Sequence, residues 1–318
     1  MNRNKLIKNG VLYPAATGES GGSQWGFVGC VKEKPWGTDV GRALGIRSAA
    51  DQASYKARFR DALNLEFEAA PGADVLIISS EHFHSRLTST EGIARLKILL
   101  EPWVDNFEVV LYLRRQDRMA VSLFSTKIKS GTGNPVLFPG APNQELIYYF
   151  NYEQIYAQWR AVFGKAAMQV RLYAKEEWEK GDLLLDFCQV AGIDSKGKNI
   201  PGIENEALNQ EGSDFVLEVN RQLPNIVDGK RDAERDELVA FIAHLCRGSY
   251  YPASRDQAIK FYRRYAESNQ RLKEKLFPER SVPLFDDDFS DYPEEVVARA
   301  PRYEDAVALA IQIWKARK

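Results

Sequence analysis

The stretch VVLYLRRQDRMAVSLFS, Val109 to Ser125, decides the fold. An apolar run ends on two arginines, and the residues after them are apolar at helical spacing. This pattern predicts a buried strand that ends at Leu113, followed by a helix that Asp117 caps. Ser122 falls in the second turn of the predicted helix. A buried strand that ends on two charged side chains suggests that a ligand binds at this point of the chain.

Other segments extend the same alternation. Strands are predicted at DVLIIS, Asp74 to Ser79, and at MQVRLY, Met168 to Tyr173. The segment Thr88 to Trp103 has a Ser/Thr-rich start followed by helical spacing, so it predicts a helix between strands. A further helix is predicted from Asp182 to Ala191, closed by Gly192. Because strands and helices alternate, we expect an α/β fold with a parallel sheet and right-handed crossovers.

The C-terminal third of the chain has a different pattern. From about Glu204 onward the residues are apolar at helical spacing, and strand signals stop. We therefore expect an α/β core over residues 1–203 and a helical extension over residues 204–318. The extension contains the acidic stretch FDDDFSDYPEE, Phe285 to Glu295, which is predicted to be a solvated loop and not a metal site.

Composition argues against several classes of protein. Lys and Arg total 43 against 44 Asp and Glu, so the net charge of −1 gives no field that would attract nucleic acid or an anionic membrane. Cys30, Cys188 and Cys246 lack the spacing of a zinc site or a disulfide framework, which fits a reducing cytoplasm. No apolar run approaches the roughly 18 residues of a membrane span, and the N-terminus lacks the apolar core of a signal peptide. We expect a soluble cytoplasmic protein without a transmembrane segment.

The two arginines have a physical interpretation. In open parallel sheets, ligands bind beyond the carboxyl ends of the strands, which is where Arg114 and Arg115 are predicted to lie. The N-terminus of the next helix favours an anion, and a guanidinium with the Ser122 hydroxyl would suit a phosphate. The alternative is that the arginines form surface ion pairs with Asp117 and Glu108.

A family resemblance adds to this interpretation. Arg114 and Ser122 lie eight positions apart, which resembles the signature with which sulfotransferases that use 3′-phosphoadenylyl sulfate hold its 3′-phosphate. LRRQDRMAVSLFSTKIKSG, Leu113 to Gly131, is similar to bacterial members of that family. Val170 to Ile193 resembles the family's later strand, helix and Gly-turn, and LFDDDFSDYP resembles the tail of the polysaccharide-type branch.

The resemblance implies a fold, a co-substrate and a reaction. The fold would be a three-layer parallel-sheet domain of the P-loop nucleotide-binding sulfotransferase type with a helical C-terminal extension. Arg114 and Ser122 would bind 3′-phosphoadenylyl sulfate as the co-substrate. The protein would transfer its sulfuryl group to a hydroxyl, and the acceptor implied is a saccharide. This chemistry requires a base, positive charge at the leaving phosphate and in-line positioning, and in principle no metal.

The sequence departs from the family in one respect. Members open with a strand and a GxxKTGTT-type loop that holds the 5′-phosphosulfate, and no such loop occurs in these residues. Asn2 to Pro14 resembles the family segment that comes after that loop and its helix, so we expect the sequence to begin late relative to the family. Two Gly-rich stretches, Gly18 to Gly26 and Ser130 to Gly133, are predicted to be ordinary loops: the first has no Lys and the second comes after a helix.

The missing loop leaves alternatives open. One is a degenerate relative that binds a nucleotide or a glycan without turnover. Another is a relative of the P-loop kinases, against which the absence of GxxxxGK[ST] weighs.

Candidates for the catalytic base come directly after the first predicted strand. SSEHFHSR, Ser79 to Arg86, contains two of the three histidines of the chain. Glu81 is the first candidate, because related carbohydrate sulfotransferases resemble it in using a Glu as base, and His82 and His84 are the alternatives. The competing interpretation is a helix N-terminus in which Glu81 favours the helix dipole and the histidines pair locally.

Overall fold

The computed structural model describes residues 3–15, 24–140, 144–194, 207–227, 230–248, 250–296 and 303–316. Short strands and helices alternate over the first part of the chain, and helices dominate the last. In chain order the elements are α1 Arg3–Lys8, β1 Val11–Leu12, α2 Trp25–Val31, α3 Asp39–Leu44, α4 Ala49–Glu68, β2 Val75–Leu76, α5 Glu81–Arg86, α6 Thr90–Leu100, β3 Val109–Leu113, α7 Gln116–Lys129, α8 Gln144–Phe150, α9 Tyr152–Phe163, β4 Met168–Leu172, α10 Leu183–Val190, α11 Gln210–Gln222, β5 Ile226–Val227, β6 Lys230–Arg231, α12 Ala233–Leu245, α13 Arg255–Arg263, α14 Ala266–Leu276 and α15 Tyr303–Ala316.

The chain forms two compact units, and each unit consists of two segments. Unit 1 is Met1–Leu113 with Gln144–Ile200, and unit 2 is Arg114–Asn143 with Pro201–Lys318. The second boundary lies close to the predicted one at 203/204, but residues 114–143 group with the C-terminal segment, which the sequence did not indicate. The apolar face of α7 explains this grouping, because its buried residues belong to the same clusters as residues of α11, α12 and α13.

The strands of unit 1 pair in parallel. β3 and β4 run in register from Val109 opposite Met168 to Leu113 opposite Leu172. β2 pairs with β1, a strand that the sequence did not predict, in a separate two-stranded ladder. The α/β class, the parallel pairing and the positions of the three predicted strands are confirmed, whereas a single ladder through all three is wrong for the described residues. The helices predicted between and after these strands are present as α6 and α10.

A buried helix fills the centre of unit 1. All residues of α2 from Gly26 to Val31 are buried, and only Trp25 at its start is partly exposed. Gly29 lies where a Cβ would come 2.2 Å from Leu44 Cδ1. A side chain at this position would therefore require the Leu44 side chain of α3 to move.

A carboxylate joins the second ladder of unit 1 to α10. Tyr112 on β3 and Arg171 on β4 lie opposite each other. The Tyr112 hydroxyl donates to Asp186 Oδ2 at 2.6 Å, and Arg171 donates to both carboxylate oxygens of this buried residue. Burial raises the pKa of Asp186, but the hydrogen bonds from Arg171 and Tyr112 outweigh it and hold the pKa below its usual range. The ladder and the helix are therefore fixed to each other by one charged group.

In unit 2, the C-terminus of α7 is capped by side chains from later in the chain. Asn220 donates to the carbonyls of Ile128 and Thr132, and Arg235, which is buried, donates to the carbonyl of Lys129. The bond to Lys129 satisfies a carbonyl that the end of the helix would otherwise leave without a partner, and the bonds of Asn220 hold the last turn and the residues after it. The predicted loop Ser130 to Gly133 comes after this end, as expected, and Gly131 adopts φ +104° there.

Unit 2 also contains a feature that corrects the sequence analysis. β5 and β6 form an antiparallel hairpin, with Ile226 opposite Arg231, in a region predicted to be free of strands. Strands of two residues are too short to show the alternation by which a strand is recognised in a sequence. The helices predicted in this region are present as α11 to α15. None of the helices in the described ranges is long and apolar enough to cross a bilayer.

Candidate functional site

The two arginines after β3 lie at the start of α7. β3 ends at Leu113, and α7 begins at Gln116 with Arg115 as its N-cap residue. The prediction that Asp117 caps this helix is wrong. Asp117 lies within the first turn, and its carboxylate accepts from the Arg115 side chain instead of serving as the N-cap. The capping prediction failed because a neighbouring guanidinium holds this carboxylate.

Arg115 is a buried structural residue. Its Nε and Nη2 donate to the two carboxylate oxygens of Asp117 at 2.8 and 3.0 Å. Its Nη1 donates to the Asp286 carboxylate and, at 2.6 Å, to the carbonyl of Asp288. The guanidinium also lies 4.1 Å from the centre of the Phe289 ring. Burial lowers the pKa of Arg115, but the bonds to Asp117 outweigh this effect and raise it.

The acidic stretch is therefore more than a solvated loop. Phe285, Phe289 and Tyr292 are buried in it, and the Tyr292 hydroxyl donates to Asp117 Oδ2 at 3.0 Å. The prediction of a solvated loop is wrong for these three residues. The stretch also contains Asp286 and Asp288, which bind Arg115 and so hold the aromatic rings against unit 2. The hypothesis of surface ion pairs named the correct partner in Asp117, but the Arg115 pair is buried.

Arg114 and Ser122, the predicted phosphate-binding residues, both belong to unit 2 and are both half-buried. The Arg114 guanidinium lies close enough to Tyr251 to act on the ionisation of its hydroxyl. Ser122 lies on α7, where its carbonyl accepts from Thr126. Arg118 lies four positions after Arg114 and four before Ser122. Arg118 and Ser122 are both on α7, whereas Arg114 comes before the helix.

Arg118 is a residue that the sequence analysis missed. Its Nη2 lies 3.3 Å from Asp291 Oδ2 and 4.0 Å from Asp286 Oδ1. The Tyr251 hydroxyl lies 3.4 Å from the same Asp291 oxygen. Burial and then the Asp291 charge raise the pKa of Tyr251, against the lowering effect of Arg118 and Arg114. The spacing of Arg118 and Ser122 was the available signal, since side chains four positions apart share a helix face.

The base candidates belong to unit 1, where SSEHFHSR forms the start of α5. Ser80 is the N-cap, and its hydroxyl accepts from the backbone N–H of His82 at 3.3 Å. Glu81 lies in the first turn, and its side chain is 73% exposed. His82 is buried against Trp25, with ring centres 3.7 Å apart, and its Nε2 lies 3.4 Å from Glu81 Oε1. The capped helix start and the local pairing of His82 are thus both present.

His84 is held by a different neighbour. Its ring stacks on Tyr149 at 4.1 Å between centres, and its Nε2 lies 2.8 Å from the Tyr149 carbonyl. Because a carbonyl only accepts hydrogen bonds, Nε2 carries the proton. Burial lowers the pKa of His84, although the bond to Tyr149 opposes this, so the ring is neutral at pH 7. His84 therefore links α5 to the end of α8.

Glu81 lies near groups from several parts of unit 1. Burial and then the Glu81 charge raise the pKa of Tyr13, the residue directly after β1, and they raise that of Tyr149 to about 12. Asp39 accepts from Arg86 at the other end of α5. Because β1 and β2 are parallel, Tyr13 and the segment leading to Glu81 leave the ladder at the same edge. An exposed carboxylate at that edge could accept a proton from a bound hydroxyl.

Comparisons with known proteins identify no function. No family model matches this chain, and no solved structure matches it. An uncharacterized protein of Archaeoglobus fulgidus is 26% identical over 237 residues, which are 71% of this chain and 62% of that protein. The chain thus spans less than two thirds of the length of this relative.

Proposed function

We propose that the protein binds 3′-phosphoadenylyl sulfate and transfers its sulfuryl group to a hydroxyl, with a saccharide as the acceptor. The observation that carries this proposal is that one of the two arginines after β3, Arg115, is bound within the fold through its whole guanidinium group. Every nitrogen of the Arg115 guanidinium is bound to another part of unit 2. The fold thus accounts for Arg115, and we assign Arg114 to the ligand on its eight-residue spacing from Ser122, a residue of the following helix.

The chemistry of these groups suits a 3′-phosphate. A guanidinium can donate two parallel hydrogen bonds to a phosphate, and a hydroxyl can add a third. Both residues are half-buried, so the charge of Arg114 is less screened than on an open surface. The parallel β3–β4 ladder and the strand-to-helix connection support the finer proposal of a three-layer P-loop sulfotransferase core.

Glu81 is the proposed base. As the acceptor oxygen bonds to sulfur, the bond from sulfur to the 5′-phosphate oxygen breaks, adenosine 3′,5′-bisphosphate leaves, and Glu81 takes the hydroxyl proton. His84 fits this role less well, since Nε2 donates to Tyr149 and its ring is stacked. His82 is buried beside Glu81 and remains the alternative base.

Binding without turnover is the second candidate function. The observation that favours it is the absence of a GxxKTGTT-type loop from these 318 residues. In that case Arg114 and Ser122 would hold the nucleotide, and no sulfuryl group would move.

Calorimetry with adenosine 3′,5′-bisphosphate and 5′-AMP tests the proposal. The protein should bind the bisphosphate more tightly than AMP, and the preference should disappear in Arg114→Ala. Equal binding of the two nucleotides by the wild-type protein would overturn it. Transfer of labelled sulfate from 3′-phosphoadenylyl sulfate to a panel of saccharides then separates the enzyme from the binder.

A further inference from the structure

The start of α7 carries a second guanidinium near Arg114. Arg118 lies in the first turn of α7, four positions after Arg114. Arg118 and the Tyr251 hydroxyl lie 3.3 and 3.4 Å from the same Asp291 oxygen, and the charge of Arg114 also lowers the pKa of Tyr251. Ser122 lies one helical turn beyond Arg118 on the same face of α7. Arg118 is 34% exposed, so an incoming anion can reach it.

Arg118 is only loosely held in this structure. Its contact with Asp291 is long for a charge-assisted hydrogen bond, at 3.3 Å, and the one with Asp286 is longer, at 4.0 Å. Its Nε is buried, and no atom of the described residues accepts from it. By contrast, Arg115, three positions earlier in the chain, makes a bidentate pair with Asp117. Arg118 therefore has hydrogen-bonding capacity that the fold does not use.

We infer that Asp291 holds Arg118 in the nucleotide-free protein and releases it to the 3′-phosphate, which Arg118 then binds together with Arg114 and Ser122. This inference rests on the proposed function and adds a phosphate-binding residue and a competing carboxylate to it. The exchange is favourable because a phosphate has three acceptor oxygens and about two negative charges, whereas Asp291 offers one partly exposed carboxylate at a long distance.

The segment that carries Asp291 is anchored to α7, whereas the Asp291 side chain itself is partly exposed. Asp291 lies next to Tyr292, which is buried and bonded to Asp117. The segment is therefore anchored at α7 by Tyr292 and by the contacts of Arg115, while the Asp291 side chain is 47% exposed. Phosphate can displace the carboxylate without detaching the segment.

The test compares two aspartates of the same segment by calorimetry with adenosine 3′,5′-bisphosphate. Asp291→Asn should tighten binding about 3- to 5-fold, the range expected for removing a partly exposed competing ion pair. Asp287→Asn removes the same charge from an exposed position without a contact to Arg118, and it should change the affinity less than 2-fold. Neither variant should change the affinity for 5′-AMP, which lacks the 3′-phosphate.

Arg118→Gln completes the experiment. It should weaken bisphosphate binding about 10-fold or more, and adding Asp291→Asn to it should give no further tightening. An unchanged affinity in Asp291→Asn, or equal tightening by Asp287→Asn, would overturn the inference. If Arg114→Ala still weakens binding in that case, the proposed function stands alone. If the wild-type protein does not prefer the bisphosphate to AMP, both fail.

Discussion

Arg115 and Asp117, two residues apart, form a bidentate ion pair inside unit 2, with distances of 2.8 and 3.0 Å. The Asp117 carboxylate has no exposed surface, and the Arg115 side chain is 2% exposed. Burying two charges is costly, and the mutual attraction and the additional bonds to Asp286, Asp288 and Tyr292 offset that cost. The pair therefore tolerates neither member being removed alone.

Arg115→Ala should lower the free energy of unfolding by about 3 to 5 kcal/mol, because it leaves Asp117 buried and uncompensated. Arg114→Ala is the matched control, since this neighbouring arginine is half-buried, and it should cost about 1 kcal/mol or less. Urea denaturation measures both. Equal losses of unfolding free energy in the two variants would contradict the assignment of the structural role to Arg115.

Arg114→Ala and Ser122→Ala should instead affect binding. We expect Arg114→Ala to weaken adenosine 3′,5′-bisphosphate binding by about 1.5 to 3 kcal/mol and Ser122→Ala by roughly 1 to 2 kcal/mol, as for charged and neutral hydrogen bonds. Calorimetry gives both values, with Thr126→Ala, an exposed hydroxyl on the same helix, as the control for Ser122. Unchanged affinity in both variants would remove the main support for the phosphate assignment.

Glu81→Gln should lower the rate of sulfuryl transfer by roughly 100-fold or more while it leaves nucleotide affinity nearly unchanged. The amide keeps the shape of the side chain but cannot accept the proton. Transfer rates and nucleotide dissociation constants are measured on the same preparations. A rate that survives in Glu81→Gln and collapses in His82→Ala would assign the role of base to His82.

Asp186→Asn should destabilise the protein by about 2 to 3 kcal/mol at pH 7, less than for a fully buried pair because its partner Arg171 is 36% exposed. The pKa of Asp186 is lowered in the folded protein, so the stabilisation that its charge provides is complete above the pKa of an unfolded Asp, about 3.9. This stabilisation is lost as the pH falls through the pKa of Asp186 in the folded protein.

The difference in unfolding free energy between wild type and Asp186→Asn should therefore be constant from pH 7 to pH 5 and shrink below about pH 4. Urea titrations at several pH values measure it. Other carboxylates titrate in both proteins and cancel in the difference. A difference that persists unchanged at pH 2 would show that the carboxylate charge is not the stabilising group.

The parts of the fold with a strong local signal were predictable. Val109 to Leu113 is apolar and ends on charged residues, and β3 occupies those residues. Asp182 and Gly192 bracket an apolar helical run, and α10 begins directly after Asp182, which caps it. In both cases the pattern extends over enough residues for its period to be visible.

The partners of the arginines were not predictable in the same way. Arg114 and Arg115 are adjacent and identical in type, and only the packing of a segment more than 170 residues later distinguishes them. Asp117 had the residue type of a helix cap, and a nearby charge overrode that preference. Arg118 and Asp291 are likewise related only through tertiary structure. The local sequence therefore does not indicate such pairings.

The buried bonds of Arg115 also have a consequence during synthesis of the chain. Asp286 and Asp288 come 171 and 173 residues after Arg115. At about 5 to 20 residues per second on the ribosome, roughly 9 to 34 s pass before these partners are synthesised. Asp117 emerges almost at once, so the nascent chain carries its own counter-ion for Arg115 during that interval. The last part of the chain then completes a bond network that the first half has kept neutral.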